Sequence, residues 1–158
     1  MHDSDVDRVR DLEFRVKNQE VKNQESRVKN QESRQKKNRT SLMHNFRNLK
    51  IWQKAMDLTD LALYYIEELP TRERFNLIDQ INRCSCSIPS NIAEGSGKRT
   101  VNHFAEFLTT ALTSSFELET QLLICERRKY GDAGKLKECL ALTSEVQRMI
   151  FAFRDNLK

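Results

Sequence analysis

The chain has 158 residues, of which 38% are hydrophobic and 32% are charged, and its formal net charge is +4. This length suits one domain with a single core and is short for two. Four glycines and two prolines are too few for the turns of a β-rich protein, so the composition favours an all-α fold. No apolar run approaches the roughly 18 residues of a membrane span, which excludes membrane-spanning functions.

The cysteines and the N-terminal residues indicate a reducing compartment. No apolar stretch near the start resembles a secretory signal, and the cysteines are scattered through apolar segments, so we expect a cytoplasmic protein. They are Cys84, Cys86, Cys125 and Cys139. Lys and Arg exceed Asp and Glu by 11 to 8 in residues 1–45 but only by 16 to 15 in residues 46–158. Nucleic-acid binding by the second part therefore depends on local basic patches and not on net charge.

The N-terminal part carries an internal repeat. The unit VKNQE occurs at residues 16–20, 21–25 and 28–32, with the last two copies seven residues apart. A coiled-coil seam needs two apolar positions in every seven, and this unit supplies only its valine. We therefore predict a charged tail over residues 1–45 that is disordered or loosely helical. Alternatively, Met43 is the physiological start and the repeat is translated upstream sequence.

From residue 46 onward, apolar residues recur at steps of three and four, as expected of helices that bury one face. The first predicted helix ends near Pro70. Its apolar face consists of Phe46, Leu49, Trp52, Ala55, Met56, Thr59, Ala62, Leu63 and Ile66. Thr71 is the predicted N-cap of the second helix. That helix continues through Phe75, Ile78, Ile81, Asn82 and Cys86.

The third predicted helix begins after the N-cap Thr100, and the fourth follows a break at residues 130–132. The third has an apolar face of Phe104, Phe107, Leu108, Ala111, Leu112, Ser115, Leu118, Leu122 and Cys125. The fourth has Leu136, Leu140, Leu142, Val146, Met149, Ile150 and Phe153. Short connections make successive helices antiparallel, so we predict an up-down four-helix bundle over residues 46–158.

Pro89 falls inside the second predicted helix. Proline lacks the amide hydrogen that a helix interior needs and clashes with the carbonyl four residues back, at a cost of about 3 kcal/mol. We predict a kink, with Ser87 or Ser90 and the amide of Asn91 bonding the backbone groups that proline frees. The surrounding motif consists of Ser87, Ile88, Pro89, Ser90, Asn91, Ile92, Ala93, Glu94 and Gly95.

The end of this motif has a structural interpretation. Ile88 and Ile92 share one helix face, directed at the core or at a neighbouring subunit, and Gly95 is expected to end the helix in a left-handed conformation. The segment GSGKRT that begins at Gly95 is superficially like a phosphate-binding loop. However, Ile92 stands where that loop needs glycine, and Arg99 stands where Ser or Thr binds magnesium. No cofactor site is predicted.

Three motifs resemble one protein family. They are FRNLKIWQKA at Phe46–Ala55, SIPSNIAEG at Ser87–Gly95 and FELETQL at Phe116–Leu122. In this order they are similar to the four-helix-bundle family named for the 23S rRNA intervening sequence protein, over residues 46–157. The resemblance implies a small bacterial bundle that assembles into a homopentamer. Some members are encoded in insertions within 23S rRNA genes, and others stand alone.

That family is also similar in shape to the accessory variability determinant of diversity-generating retroelements, a basic pentameric bundle that binds RNA and a reverse transcriptase. The resemblance therefore implies RNA, or a protein partner such as a reverse transcriptase. The repeat tail has no counterpart in the family pattern.

The residues do not assemble a catalytic or metal site. Cys84 and Cys86 are two apart and point to nearly opposite sides of a helix, and no histidine stands at metal-ligand spacing from a cysteine. His103 is expected to be an exposed polar residue. Glu117 and Glu119 also diverge, which suits a solvated face or ion pairs. No nucleophile, base and orienting group combine, so we predict a protein that is not an enzyme.

The nucleic-acid-binding hypothesis depends on lysines and arginines. The candidates are Lys50, Lys54, Arg83, Lys98, Arg99, Arg127, Arg128 and Lys129. The last three are explained without RNA, because cations at a helix C-terminus complement its dipole. Lys98 and Arg99 precede a helix N-terminus, where the dipole favours anions, so this pair is the best single candidate. A ring of subunits would repeat each weak patch and raise its affinity for phosphates. The alternative is a structural or adaptor protein that binds a protein partner without nucleic acid.

Overall fold

The computed structural model describes residues 19–20, 22–29 and 45–157. The chain divides into two units, Met1–Ser41 and Leu42–Lys158. In the first unit, the described residues are helical and exposed. The rest of the predicted tail, including the alternative start methionine, lies outside the described residues. No strand occurs among the residues that the structure describes, so the predicted all-α class is confirmed.

The second unit contains four long helices. They are α1 (Lys50–Ile66), α2 (Asp79–Ser96), α3 (Val101–Arg128) and α4 (Ala133–Asp155). Shorter turns precede the first two: a 3-10 turn at Phe46–Asn48, a 3-10 turn at Thr71–Glu73 and a π turn at Arg74–Ile78. None of the described helices is both long enough and apolar enough to cross a membrane.

Two predicted helix ends are wrong. Thr71 lies within a 3-10 turn whose N-cap is Pro70, and that cap supplies no side-chain hydrogen bond. Gly95 lies within α2, and the residue after this helix, Gly97, has φ of −86°, so the helix does not end in a left-handed conformation. Gly95 is required for a different reason, because a Cβ there would lie 2.7 Å from the ring of Phe104.

The buried face of α1 also differs from the predicted one. Ile51, Leu58 and Tyr65, which were left out of that face, are at most 5% exposed. Met56 and Leu63, which were included, are only half-buried. Helix α1 packs against both α2 and α4. Its buried face is therefore not the one predicted from the apolar residues at steps of three and four.

The four helices pack in a cycle, in which α1 and α3 each contact both α2 and α4. Side-chain contacts pair α1 with α4 in opposite order: Lys54 lies 3.6 Å from Glu145, while Glu68, just after α1, bonds Lys135 near the start of α4. Contacts between α2 and α3 are in opposite order as well. Arg83, early in α2, forms an ion pair with Glu117 of α3, and Gly95, late in α2, packs closely on Phe104, near the start of α3.

One end of this unit contains the connection between α2 and α3, residues 97–100, and is called the α2–α3 end here. Aromatic packing closes it. The rings of Phe104 in α3 and Phe153 in α4 meet edge to face, with centroids 5.7 Å apart. The late part of α2, the start of α3 and the late part of α4 therefore meet at this end.

The opposite end contains the connection between α3 and α4, residues 129–132, and is called the α3–α4 end. The buried hydroxyl of Tyr65, late in α1, donates a hydrogen bond of 2.7 Å to the carbonyl of Tyr130. Glu68 accepts hydrogen bonds from the backbone amide of Asp132 and from the ammonium of Lys135. Polar contacts thus tie the end of α1 to the turn before α4.

Candidate nucleic-acid interface

The proline motif is stabilised from a neighbouring helix. Pro89 supplies no amide hydrogen, so the carbonyl of Ser85, four residues back, loses its helical donor. The hydroxyl of Thr59, buried in α1, lies 2.9 Å from that carbonyl and 2.9 Å from the carbonyl of Ala55. The hydroxyl has a single hydrogen, which these two carbonyls share, so α1 supplies a shared donor to the free acceptor of α2 at the proline.

Side chains of the motif were predicted to bond the backbone groups that Pro89 frees, but they bond other carbonyls. The hydroxyl of Ser90 donates to the carbonyl of Cys86 at 2.8 Å, and the side-chain amide of Asn91 donates to the carbonyl of Ser87 at 2.8 Å. Both bonds span one helical turn, which is the reach of a side chain on its own helix, and neither reaches the carbonyl that Pro89 frees. Helix α2 runs on through the proline, and the kink stays a prediction.

Gly95 determines how closely α2 approaches α3 and thereby positions a basic residue. A Cβ at Gly95 would lie 2.7 Å from both the Phe104 ring and Cβ of Phe107, so only glycine fits without displacement. The ammonium of Lys98 lies 4.3 Å from the ring centroid of Phe107 and 2.9 Å from a carboxylate oxygen of Glu94. The predicted basic pair thus includes one lysine that an aromatic ring and a carboxylate hold in place.

Arg99 has no such partner. Its side chain is exposed, and no carboxylate of the described residues forms an ion pair with it. Thr100 accepts a hydrogen bond of 3.3 Å from the amide of His103, which confirms its predicted role as N-cap of α3. The first turn of α3 has no acidic residue. The positive end of the helix dipole therefore adds to the charges of Lys98 and Arg99.

The two lysines of α1 lie toward the same end. Lys50 is the first residue of α1 and is exposed. Lys54, one turn later, lies 3.6 Å from Glu145, and both side chains are about two-fifths exposed, at 41% and 43%. An ion pair of this exposure is weak and can exchange for a phosphate. The α2–α3 end thus collects four of the eight predicted basic residues.

The other predicted cations lie toward the α3–α4 end. Arg83 in α2 bonds Gln80 of its own helix at 2.6 Å and Glu117 of α3 at 3.2 Å. The run at residues 127–129 is exposed, and its first two members lie in the last turn of α3. Because α3 has 28 residues, its two ends are about 42 Å apart. One subunit therefore does not bring all eight candidates into a single patch.

The buried thiols are core atoms and not reactive groups. Burial raises the pKa of the Cys84 and Cys139 thiols to about 12, and it also raises the pKa of Cys125. These groups stay protonated at neutral pH and are poor nucleophiles and metal ligands. Within the described ranges, no three His, Cys, Asp or Glu side chains are grouped to hold a metal ion. Glu119 bonds Gln147 of α4 at 2.8 Å, as expected of a carboxylate between helices.

Sequence reasoning missed a set of exposed aromatic side chains. Phe75, predicted to lie on the apolar face of the second helix, is 82% exposed because it lies in the π turn before α2. Phe116 and Phe151 are 50% and 52% exposed. Both fall outside the predicted apolar faces of their helices, and this position off the face is the sequence signal that identifies them.

Comparison with known proteins gives one family. The family model described as 23S rRNA-intervening sequence protein matches residues 47–152. No curated protein matches. Among solved structures, the chain is similar to a protein of unknown function from the S23 ribosomal protein family of Bacteroides thetaiotaomicron, with 20% identity and a TM-score of 0.61. The match covers 67% of this chain and 96% of the other, and it shows the fold alone.

Proposed function

The chain belongs to the 23S rRNA-intervening sequence protein family, and we propose that it is a non-catalytic oligomeric helical protein that binds RNA or an RNA–protein complex through exposed cations. On this proposal the four long helices form an antiparallel up-down bundle with a bend at Pro89, and the protein acts in the cytoplasm. The opposite-order contacts between α1 and α4 and between α2 and α3 support the bundle.

The observation that carries the proposal is the environment of Lys98 and Arg99. Lys98 is held by Glu94 and the ring of Phe107, whereas the exposed guanidinium of Arg99 has no ion-pair partner among the described residues. Both precede the N-terminus of α3, whose first turn has no carboxylate. A phosphate here meets the guanidinium of Arg99, the ammonium of Lys98, which also pairs with Glu94, and a positive helix end.

Repetition of this site explains how a small basic patch supports useful affinity. One subunit offers Lys98, Arg99 and, toward the same end, Lys50. A homopentamer, which the family resemblance implies, presents five copies, so that a second contact to the same RNA becomes intramolecular. Each phosphate neutralised also releases counterions, so binding weakens steeply with salt. We expect retention of RNA at low salt and its loss as the salt concentration rises.

The test compares two matched charge reversals. Lys98→Glu combined with Arg99→Glu should reduce RNA retention at low salt at least 10-fold, because it replaces two phosphate contacts with repulsion. Arg127→Glu combined with Arg128→Glu makes the same change in charge at the α3–α4 end and should reduce retention much less. Circular dichroism checks helicity in both. Equal losses from the two pairs would show a net-charge effect, and unchanged retention in the first variant would remove the pair from the site.

A second candidate function is favoured by the exposed aromatic residues. Phe75 is 82% exposed and Phe151 is 52% exposed, and apolar surface of this kind suits a protein contact. In this alternative the chain is a structural or adaptor protein whose partner, such as a reverse transcriptase, contacts any nucleic acid itself. Purified protein with no ultraviolet absorbance from nucleic acid, and no RNA retention at any salt concentration, would favour the adaptor over the RNA-binding protein.

A further inference from the structure

Phe75 is an exposed ring before α2, and the guanidinium of Arg74 lies 5.9 Å from its centroid. Phe75 is the most exposed large hydrophobic residue of those that the structure describes, at 82%. The π turn Arg74–Ile78 has a wider backbone ring than an α-helix, and such turns occur often at functional sites. Leu77, two residues later, is buried at 8%. The turn therefore sends one apolar side chain into the core and leaves the ring of Phe75 in solvent.

A groove of suitable size lies between α3 and α4. Its walls are the half-exposed rings of Phe116 and Phe151, and Leu112 forms its buried floor. Gln147 and Arg148 complete the lining, and the volume is about 250 Å³. The groove is an open depression and not an enclosed cavity, so a phenyl group placed there packs between the two rings with one side in solvent.

We propose that Phe75 of one copy of this chain inserts into the groove between Phe116 and Phe151 of a second copy. The partner is another copy because the chain itself carries both complementary surfaces, a projecting ring and an apolar groove. These surfaces share no residue and belong to different helices. Each subunit thus donates one ring and accepts one.

Charges of both signs flank the projecting ring, because Arg74 and Asp79 are both exposed beside it, and the groove carries Arg148. Asp79 lies one turn after Phe75 and is exposed, and no cation of the described chain forms an ion pair with it. Arg148 lines the groove, and its guanidinium bonds the hydroxyl of Ser144 at 2.7 Å but no described carboxylate. Insertion of the ring brings this carboxylate and this guanidinium to the rim of one contact. Such a pair favours the correct orientation more than it adds affinity.

The inference rests on the oligomer of the proposed function and names the surfaces that form it. The test uses three variants that each replace an exposed aromatic ring by glutamate: Phe75→Glu, Phe151→Glu and the control Tyr64→Glu. Tyr64 is 56% exposed and lies beside Lys135, so the control makes the same change from ring to carboxylate at a residue that belongs to neither surface. Sedimentation velocity gives the assembly state of each full chain, and circular dichroism gives its helicity.

We expect Phe75→Glu and Phe151→Glu each to raise the dissociation constant of self-association on the order of 100-fold, as for the loss of a central aromatic anchor. The control should assemble like the original chain. A 1:1 mixture of the first two variants should form dimers, because one supplies an intact groove and the other an intact ring. Mixtures that stay monomeric, or single variants that assemble normally, would overturn the inference.

A charge exchange tests the rim separately. Asp79→Arg and Arg148→Asp should each weaken self-association several-fold, and the two changes in one chain should restore it, because every contact then carries the reversed pair. Failure to restore would overturn the orientation proposed here. An original chain that is monomeric at every concentration would overturn the proposed oligomer itself. Retention of RNA is scored separately, since the monomeric Phe75→Glu chain keeps Lys98 and Arg99.

Discussion

The two ends of the second unit are stabilised by different chemistry. At the α3–α4 end, hydrogen bonds join several polar groups. Tyr65 bonds the carbonyl of Tyr130, and the hydroxyl of Tyr130 lies 3.2 Å from Glu73 and 3.3 Å from Arg72. Lys135 bonds Glu68 and lies 3.9 Å from the centroid of the Tyr64 ring. Two cations at this end, Arg72 and Lys135, therefore serve the fold.

The α2–α3 end is closed by rings and a glycine. Gly95 packs on Phe104 and Phe107, and Phe104 packs on Phe153, so these contacts require no charge. Of the basic residues of this end, Lys98 and Lys54 pair with Glu94 and Glu145, whereas Arg99 has no ion-pair partner in the described part of the chain. A lysine or arginine that forms no ion pair within the fold is therefore a stronger candidate for RNA binding than one that does.

Alkaline pH should lower the free energy of unfolding mainly through buried groups near the α3–α4 end. Burial raises the pKa of Cys139 from 9.0 to about 12, and it also raises the pKa values of its neighbours Cys125 and Tyr65. Between pH 9 and about pH 12, the Cys139 thiol has lost its proton in the unfolded chain and has kept it in the folded chain. The free energy of unfolding is therefore highest below pH 9 and falls above it by about 1.4 kcal/mol per pH unit for each such thiol.

Urea unfolding between pH 8 and pH 11, with a reductant present, measures this slope. Cys139→Ala is the control, because it removes one titrating thiol and should make the slope shallower by that thiol's share, whatever it does to stability at pH 8. A slope that is the same in both chains would show that this thiol does not titrate differently in the folded state.

Replacement of glycine should affect the two connections unequally. Gly131, at the α3–α4 end, has φ of +66°, and a Cβ there would lie 2.7 Å from the Tyr65 ring. Gly131→Ala combines left-handed strain with a clash against a buried ring and should lower the free energy of unfolding by about 3 kcal/mol. Gly97 at the other end has ordinary contacts of 3.6 Å, so Gly97→Ala should be neutral or slightly stabilising. Thermal denaturation of both chains gives the comparison, and equal shifts would contradict it.

The link between Thr59 and Ser85 lies between the two ends and should have an intermediate effect. Thr59→Val keeps the shape of the side chain but removes the donor to the Ser85 carbonyl, which should cost about 2 kcal/mol of unfolding free energy. Pro89→Ala restores a backbone amide that can bond that carbonyl. Thr59→Val should therefore cost less than about 1 kcal/mol in the Pro89→Ala chain. Urea unfolding of all four chains gives the coupling, and additive costs would show that the hydroxyl does not replace the missing amide.

In α3, features governed by neighbours along the chain were predicted correctly, whereas the predicted cap Thr71 and the apolar face of α1 were wrong. Thr100 caps α3, and Phe104, Leu108, Leu118 and Leu122, all predicted to face the core, are at most 1% exposed. Caps and apolar periods depend on residues three or four apart, which a sequence displays directly. The class of fold and the spans of α3 and α4 follow from such local signals.

Features that join different helices were not predicted. The hydroxyl of Thr59 reaches a carbonyl 26 positions away, and a threonine on an apolar stripe carries no sign of that acceptor. The exposure of Phe75 depends on a π turn, which shifts the helical register without a sequence signal that marks it. Gly95 was predicted to end a helix. Its actual role depends on the approach of Phe107 from another helix, which the sequence does not display.

The smallest effect on stability should accompany a large effect on binding. Lys98→Met keeps the apolar stem over Phe107 and removes the ammonium, whose ion pair with Glu94 joins side chains that are 35% and 59% exposed. Ion pairs of this kind contribute less than about 1 kcal/mol, so the melting temperature should hardly change. Retention of RNA at low salt should nevertheless fall several-fold, because the phosphate loses a charged donor and Glu94 becomes uncompensated beside it. If stability falls and retention does not, the lysine belongs to the fold of the α2–α3 end just as Lys135 belongs to that of the α3–α4 end, and Arg99 alone is left as the candidate at that connection.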